Sequence, residues 1–230
     1  DDREYGAFVP GALTEVTSLS DTISTDLSGT WTVENSINQD GSVGNEATGG
    51  PIEWPLTLRG KEQVENFDAA NDPSFECIFY GVPRLGTSVY SRHIQRSSNT
   101  IVIVQEQYPI TRTIYLDGST RPENFEPSPI GYSIGYFEDD GTLVAETDGF
   151  SFTSWGSAAG LDSSAQKHVT ERFELADDGL HMTYTYTIND PVFLDEPVTK
   201  QVNYKKIDDF EYVYEVCDAD VARFPIEFGR

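Results

Sequence analysis

His168-Val169-Thr170-Glu171-Arg172-Phe173-Glu174-Leu175, the turn Asp177-Asp178-Gly179, then His181-Met182-Thr183-Tyr184-Thr185-Tyr186-Thr187-Ile188: two alternating runs joined by a turn decide the fold class. Both runs are rich in β-branched and aromatic residues, which fit a pleated, half-buried surface. Asp-Gly between alternating runs is a strong short-range hairpin signal. Successive side chains of a strand point to opposite faces, so Met182, Tyr184, Tyr186 and Ile188 share one side, and His181, Thr183, Thr185 and Thr187 share the other. In the first run His168, Thr170, Arg172 and Glu174 oppose Val169, Glu171 and Phe173. A face holding His, Arg and Glu is either solvated or the lining of a polar cavity, and periodicity does not choose between them.

The same vocabulary extends outward in both directions. Strands are predicted over Leu27–Glu34, Val89–Gln95, Thr100–Glu106, Arg112–Leu116, Ser133–Glu138, Thr142–Thr147 and Thr199–Ile207 in addition to the central pair, whose bounds are read as Lys167–Leu175 and His181–Ile188. Turn chemistry separates them at Ser97-Ser98-Asn99, Asp117-Gly118, Asp139-Asp140-Gly141 and Asn189-Asp190-Pro191. About nine strands at hairpin spacing, with hardly any helix, predict a meander sheet that closes on itself. The expectation is therefore an all-β fold, a closed antiparallel barrel of about 8–10 strands with one short helix; a two-sheet sandwich is the alternative. The helix is predicted over Leu56–Phe67 with Thr57 as its cap. Residues 35–51, rich in Gly, Asn and Asp, read as a long loop, and residues 1–25 as an extended lead-in to a single barrel domain over 26–230.

Composition bounds the function. With 37% hydrophobic residues, thirteen Phe and twelve Tyr in 230 residues, the chain can build a core and falls within the size range of single all-β domains. Thirty-nine Asp+Glu against 15 Lys+Arg give a formal net charge of −24, which repels phosphate backbones and anionic headgroups. Nucleic-acid and membrane-surface partners are thereby disfavoured, and no apolar run reaches the ~18 residues of a membrane span. The opening Asp1-Asp2-Arg3-Glu4 reads as a mature N-terminus or a trimmed chain. Cys77 and Cys217 lie 140 positions apart, without the close spacing of a zinc or redox pair. Either they pair or two buried thiols sit unrelated; the acidic, Lys-poor and Met-poor composition suits an oxidising compartment and favours pairing.

Several residues could carry chemistry. His168 titrates near neutrality and could act as general acid or base, or be a structural histidine bonded to a neighbouring strand. Arg172 is two pleats further on the same face, about 13 Å along the strand, so the two could reach one elongated ligand but not one small atom. Arg112, Tyr115 and Asp117 form a second group: Arg112 could bind a carboxylate bidentately, Tyr115 could donate a proton, and Asp117 reads equally as a turn residue. His93 and His181 could join His168 across a lumen, although the paired spacing of a zinc site is missing. Asn38, Asp40 and Ser42 alternate like calcium-loop oxygens but lack the terminal acidic ligand. Residues 148–156, with Phe152 and Trp155, read as an aromatic, Gly-flanked loop that either gates ligands or plugs the barrel. No nucleophile elbow, phosphate loop, C-x-x-C or H-E-x-x-H occurs, so neither a cofactor nor a bound metal is expected.

Gly29-Thr30-Trp31 on the first strand resembles the Gly-x-Trp signature of lipocalins and related calycin barrels, whose Trp plugs the closed end. More of the chain resembles a large group of poorly characterised secreted bacterial proteins with a lipocalin-like barrel. The matching stretches are Asp26 to Trp31, Asp72-Pro73 through Cys77 with Gly81-Val82-Pro83-Arg84, and Arg112 to Gly118. The distinctive ones are Gly131-Tyr132-Ser133-Ile134-Gly135, Glu146 to Phe150, and His168 to Phe173. The resemblance spans residues 26 to 217 and implies a secreted or periplasmic protein with a Cys77–Cys217 bridge. Where the group tends to carry a His-rich loop before its HVxERF motif, this chain has Gly160-Leu161-Asp162-Ser163-Ser164, so chemistry from that loop does not carry over.

Two functions fit these residues. One is a cofactor-free acid/base enzyme of lyase, hydratase, isomerase or cyclase type acting in the lumen. Its catalytic set would be His168, Tyr115, Arg172 and His93, with Arg112, Trp155, Phe152, Tyr184 and Tyr186 binding substrate. The other is a non-catalytic carrier of a hydrophobic small molecule. Either takes a small organic ligand as its partner, and twelve Tyr with three Trp suit both.

Overall fold

The computed structural model describes residues 25–37, 43–44, 53–108, 110–208 and 217–228. The expected lead-in lies outside the described residues apart from Thr25, and so do Asn38, Asp40 and Ser42. Strand β1 spans Gly29–Ile37 and a two-residue β2 spans Val43–Gly44, so the segment expected to be all loop extends β1 and pairs back on it. The remaining strands are β3 (Arg92–Arg96), β4 (Thr100–Gln105), β5 (Thr111–Tyr115), β6 (Tyr132–Phe137), β7 (Leu143–Asp148), β8 (Thr153–Ala158), β9 (Leu161–Ser163), β10 (His168–Leu175), β11 (His181–Asn189) and β12 (Val198–Ile207).

Among the described residues, nine strands close into one barrel in the order β1, β3, β4, β5, β6, β7, β10, β11, β12, with β12 returning to β1. The β10–β11 hairpin is in full register from His168 opposite Asn189 to Leu175 opposite Met182, as alternation requires. One continuous closed sheet excludes the two-sheet sandwich.

The barrel is mixed rather than purely antiparallel: β5 and β6 run parallel, with Ile114 opposite Ser133. Asp117-Gly118 looks like a hairpin turn, but the chain crosses residues 116–131 before the next strand begins. A parallel neighbour needs a crossover of a dozen or more residues. This crossover, which carries Pro122, Pro127 and Pro129, pairs through one isolated bridge, Ser128 with Phe150.

Helix is more frequent than the single expected element. Helix α1 (Leu58–Glu65) forms where predicted, its Thr57 Oγ1 accepting from Gly60 N at 3.2 Å. Short α2 (Arg84–Thr87) and α3 (Ala219–Phe228) are added, with 3-10 turns at Ala69–Asn71 and Pro73–Glu76. Residues 148–156 also differ from expectation, since β8 and β9 form a separate hairpin closed by Ala159-Gly160. Gly156, Ser157, Ala158 and Ala159 are poor strand formers, which hid β8, while Gly160 supplies the positive φ of +76° that the turn needs.

Trp31 is fully buried and donates its Nε1 hydrogen to Leu27 O at 2.9 Å, with the Lys206 ammonium 5.4 Å above its ring. The core above it is built from inward-facing positions, among them Ile94, Ile103, Ile114, Leu143, Val169, Phe173 and Val202. Cys77 and Cys217 are bonded to each other with Cα atoms 5.7 Å apart. That bond ties the segment following the second 3-10 turn to the start of α3, and an Arg223–Glu76 ion pair lies beside it. Among the described residues, no helix is long and apolar enough to cross a membrane.

Candidate functional site

The middle of the lumen holds a polar cluster that the strand parity creates. Glu171 sits between Val169 and Phe173 on the inward face of β10 and is 1% exposed. Arg112 on β5 meets it: Nη1 donates to Oε1 at 2.9 Å and Nη2 to Oε2. The Tyr184 hydroxyl donates to the same Oε1 at 2.7 Å, while Ser133 Oγ and Thr147 Oγ1 each accept from Arg112 Nη2 at 2.9 Å. Burial opposes the charge on Arg112, but the Glu171 carboxylate outweighs it, so the guanidinium lies above its ordinary pKa. Burial pushes the Tyr184 hydroxyl well above its ordinary pKa, with the Glu171 charge adding to it. This cluster satisfies itself.

A lid closes the lumen above the cluster. Residues 82–90 run across the opening, and side chains from the barrel wall take their carbonyl oxygens. Arg92 donates to Gly86 O at 2.5 Å, Ser88 O at 2.6 Å and Tyr90 O at 2.8 Å. Tyr204 OH also donates to Gly86 O at 2.5 Å, and Lys167 Nζ donates to Val82 O at 2.6 Å. Gly86 lies so close that a Cβ there would come within 2.5–2.6 Å of the Tyr184 ring. Below the lid, a cavity of about 20 Å³ remains among Arg92, Gln105, Arg112, Glu171, Tyr184 and Tyr204. That is room for about one water molecule, not for an organic ligand.

The outer side of the same lid forms one wall of a larger cleft of about 150 Å³. Tyr80, Arg84, Thr87, Ser88, Val89 and Tyr90 supply this wall. Opposite stand Ser157, Ala158 and Ala159 of the β8–β9 hairpin, with Gln107 and Tyr186 completing the lining. Arg84 lies over the Tyr80 ring at 3.5 Å and donates from Nη1 to Trp155 O at 3.1 Å. Burial pulls its pKa down, although a guanidinium stays charged. The Tyr80 hydroxyl donates to Asp72 Oδ1 at 2.7 Å, and burial pushes its pKa up to about 12. Ser157 is 2% exposed, and its Oγ has no hydrogen-bond partner. Each buried polar atom left in that state costs about 1–3 kcal/mol.

No family model and no curated protein matches the chain. The residues themselves must therefore carry any functional reading.

The sequence-predicted residues fall in four places. His168 and Arg172 lie on the outer face of β10: His168 Nε2 is 3.1 Å from Glu146 Oε2, and Arg172 is bidentate to Glu138 at 2.8 and 2.6 Å. Their face is the solvated one. Tyr115 is on the outer face of β5, stacked on Tyr132 at 4.9 Å. His93 is on the outer face of β3, with Nδ1 3.0 Å from Thr30 Oγ1, and burial lowers its pKa. It is four strand steps from His168 one way round the barrel and five the other. These four side chains do not converge.

Arg112 does bind a carboxylate bidentately, but the carboxylate is Glu171 of the same chain, which Tyr184 also engages. Tyr186 lines the cleft, and the Trp155 carbonyl anchors Arg84 beside it. Phe152 is 56% exposed on the surface. Asp117 accepts from Ser119 N at 2.9 Å as a turn residue, and His181 pairs with Asp178 at 2.7 Å. Among the described residues, no three His, Cys, Asp or Glu side chains are grouped to hold a metal ion.

Sequence reasoning passed over Glu171, Arg84 and Ser157. A charged residue between Val169 and Phe173 was the available signal for Glu171. Arg84 and Ser157 gave none, since both lie on irregular or weakly β-forming segments.

Proposed function

We propose that this chain binds a compact organic molecule in the cleft at the barrel mouth and releases it unchanged. The observation that carries this is a cleft of about 150 Å³ lined by three tyrosines, Ser157 and a single cation, Arg84, with no acidic residue among its lining. Concave sites with apolar and aromatic walls and a few placed polar groups are the usual form of small-molecule sites. The volume lies below the ~300–1,000 Å³ of drug-sized pockets, so the ligand is small. The acid/base residues considered for catalysis are dispersed over the outer face, which favours binding over turnover. The same reading takes the chain to be exported, because disulfides persist in oxidising compartments.

A fragment screen by ligand-observed NMR on the whole chain tests the proposal. Hits are expected to compete with one another and to weaken severalfold in Tyr90→Ala, whose side chain is 46% exposed and can be lost without a cavity in the core. Their spectra are expected to stay unchanged on prolonged incubation with the protein. Hits indifferent to Tyr90→Ala would overturn the site, and new product signals would overturn the absence of turnover.

A further inference from the structure

Arg84 is held without a carboxylate, as Arg96 is by Thr25 O at 2.9 Å and the Phe137 ring at 4.5 Å, but Arg84 lines the cleft. Arg112, Arg121, Arg172 and Arg223 each pair with a carboxylate, from Glu171, Asp148, Glu138 and Glu76 respectively. Arg92 gives its two Nη groups to three carbonyls of the lid, while its Nε has no partner among the described residues. Arg84 has no carboxylate within 4.0 Å among the described residues, although the chain carries 39 Asp and Glu. Nor is any of the eleven residues lining the cleft acidic. Asp72, whose charge acts on Arg84, lies outside the lining and is engaged by the Tyr80 hydroxyl at 2.7 Å.

The guanidinium is also held in place. Tyr80 covers one face at 3.5 Å, and Trp155 O fixes Nη1 at 3.1 Å. Arg84 is the one cationic residue among those lining the cleft. A planar, fixed guanidinium is the geometry that recognises a carboxylate by parallel N–H donors. Among the other polar groups, Thr87 Oγ1 is donating to Arg84 O and Ser88 Oγ to Gln107 Oε1, so both hydroxyl hydrogens are in use. The Ser157 hydroxyl is not. The tyrosines and Ala158–Ala159 complete an apolar wall suited to a flat body. The overall charge of −24 does not prevent anion capture at this point, because charges beyond a Debye length of about 8 Å are screened at physiological salt.

We infer that the ligand of the mouth cleft is a monocarboxylate of single-ring size, its carboxylate on Arg84, its ring against the tyrosines and a polar substituent on Ser157. The inference rests on the cleft being the binding site.

The experiment is an amide chemical-shift titration of the whole chain with 3-hydroxybenzoate, 4-hydroxybenzoate and 4-hydroxyphenylacetate, each compared with its neutral amide. At least one acid is expected to shift amides at 80–90 and 157–159 saturably, with at least tenfold higher affinity than its amide. Arg84→Gln is expected to abolish that preference, and Arg84→Lys, which keeps the charge, to retain part of it. An unchanged melting temperature certifies the fold of each variant. If Arg84→Gln unfolds, the retained preference in Arg84→Lys, together with weaker acid binding in Ser157→Ala, still tests the assignment. Equal or tighter binding of the amides at the same residues overturns the carboxylate and leaves the cleft standing. Absence of any saturable shift at 80–90 and 157–159 with all six probes overturns both.

Discussion

The lumen and the mouth cleft lie on the two sides of one lid, and they differ in how their charges are met. Inside, Arg112, Glu171, Tyr184, Ser133 and Thr147 form a network in which the charges are matched within the chain. The lid carbonyls above it are likewise taken by Arg92, Tyr204 and Lys167. Outside, Arg84 has no carboxylate within 4.0 Å among the described residues, while unpartnered buried atoms occur on both sides, Arg92 Nε and Gln105 Oε1 inside and Ser157 Oγ outside. A charge already paired within the protein has its partner, whereas a fixed guanidinium without a carboxylate is free to take one from a ligand. On the proposed reading the barrel interior is structure and the mouth is the functional surface. That proposal puts the ligand at the mouth, whereas the lipocalin-like resemblance leads to an expectation of the lumen.

Breaking the lumen network has the largest expected effect. Glu171→Ala leaves the Arg112 charge buried and unpaired, and a loss of about 3–5 kcal/mol is expected in urea denaturation. The double change Arg112→Met, Glu171→Leu is expected to recover most of it, because an apolar pair of similar volume carries no stranded charge. A double variant no more stable than Glu171→Ala would mean the network does more than satisfy itself.

Lys167 sharpens the comparison through pH. Its ammonium is 1% exposed, with Val82 O, Ser163 Oγ at 3.0 Å and the Phe150 ring as its surroundings, and burial brings its pKa down to about 7. Between that value and about 10.4, the ordinary lysine value, the unfolded chain binds more protons. Stability is expected to rise with pH through this window, by an amount on the order of a few kcal/mol. Tyr204, pushed up to about 12 by burial, acts in the opposite sense: its contribution is complete below about 10 and is lost as pH climbs toward 12. Chemical denaturation across pH 6–12 should pass through a maximum near 10 in the wild type, and the rising limb should vanish in Lys167→Met. A rising limb that persists in that variant would assign it to other groups.

Removing the Cys77–Cys217 bond comes next. The loop of 140 positions implies about 4–5 kcal/mol in the entropic model, and measured values for native bridges run lower. A cysteine-to-serine pair is expected to lose about 2–4 kcal/mol while leaving affinity at the cleft unchanged, since the bond anchors α3 to the 3-10 segment rather than the mouth. Changed affinity would couple α3 to the site.

The smallest effects belong to residues first considered for catalysis. His168→Ala removes a half-exposed pair with Glu146, and a change within about 0.5 kcal/mol is expected. Ser157→Ala is expected to leave stability within about 1 kcal/mol or to raise it, because an unmet buried hydroxyl disappears. A large loss in Ser157→Ala would show that its Oγ is satisfied within the fold.

Much of the fold was legible because alternation and turn chemistry are local signals. β10 and β11 begin and end within a residue of their expected bounds, and Thr57 caps α1 as read. The parallel β5–β6 pair was hidden, since an Asp-Gly turn and a long crossover begin with the same residues. The site was less legible for a related reason. Alternation assigns residues to faces but not which face is inside, and the polar face of β10 held the titratable residues while its inward face held Glu171. The mouth is built from the lid and the β8–β9 hairpin, whose positions depend on long-range hydrogen bonds such as Lys167 to Val82, 85 residues apart. Such contacts leave no periodic trace in sequence.

Intermolecular NOEs from a ring carboxylate bound to the whole chain measure most directly which side of the lid is functional. NOEs from its ring protons to Tyr90, Ala158, Ala159 and Tyr186 are the expected result. NOEs to Ile103, Phe173 and the Tyr184 ring, inside the barrel, would contradict it.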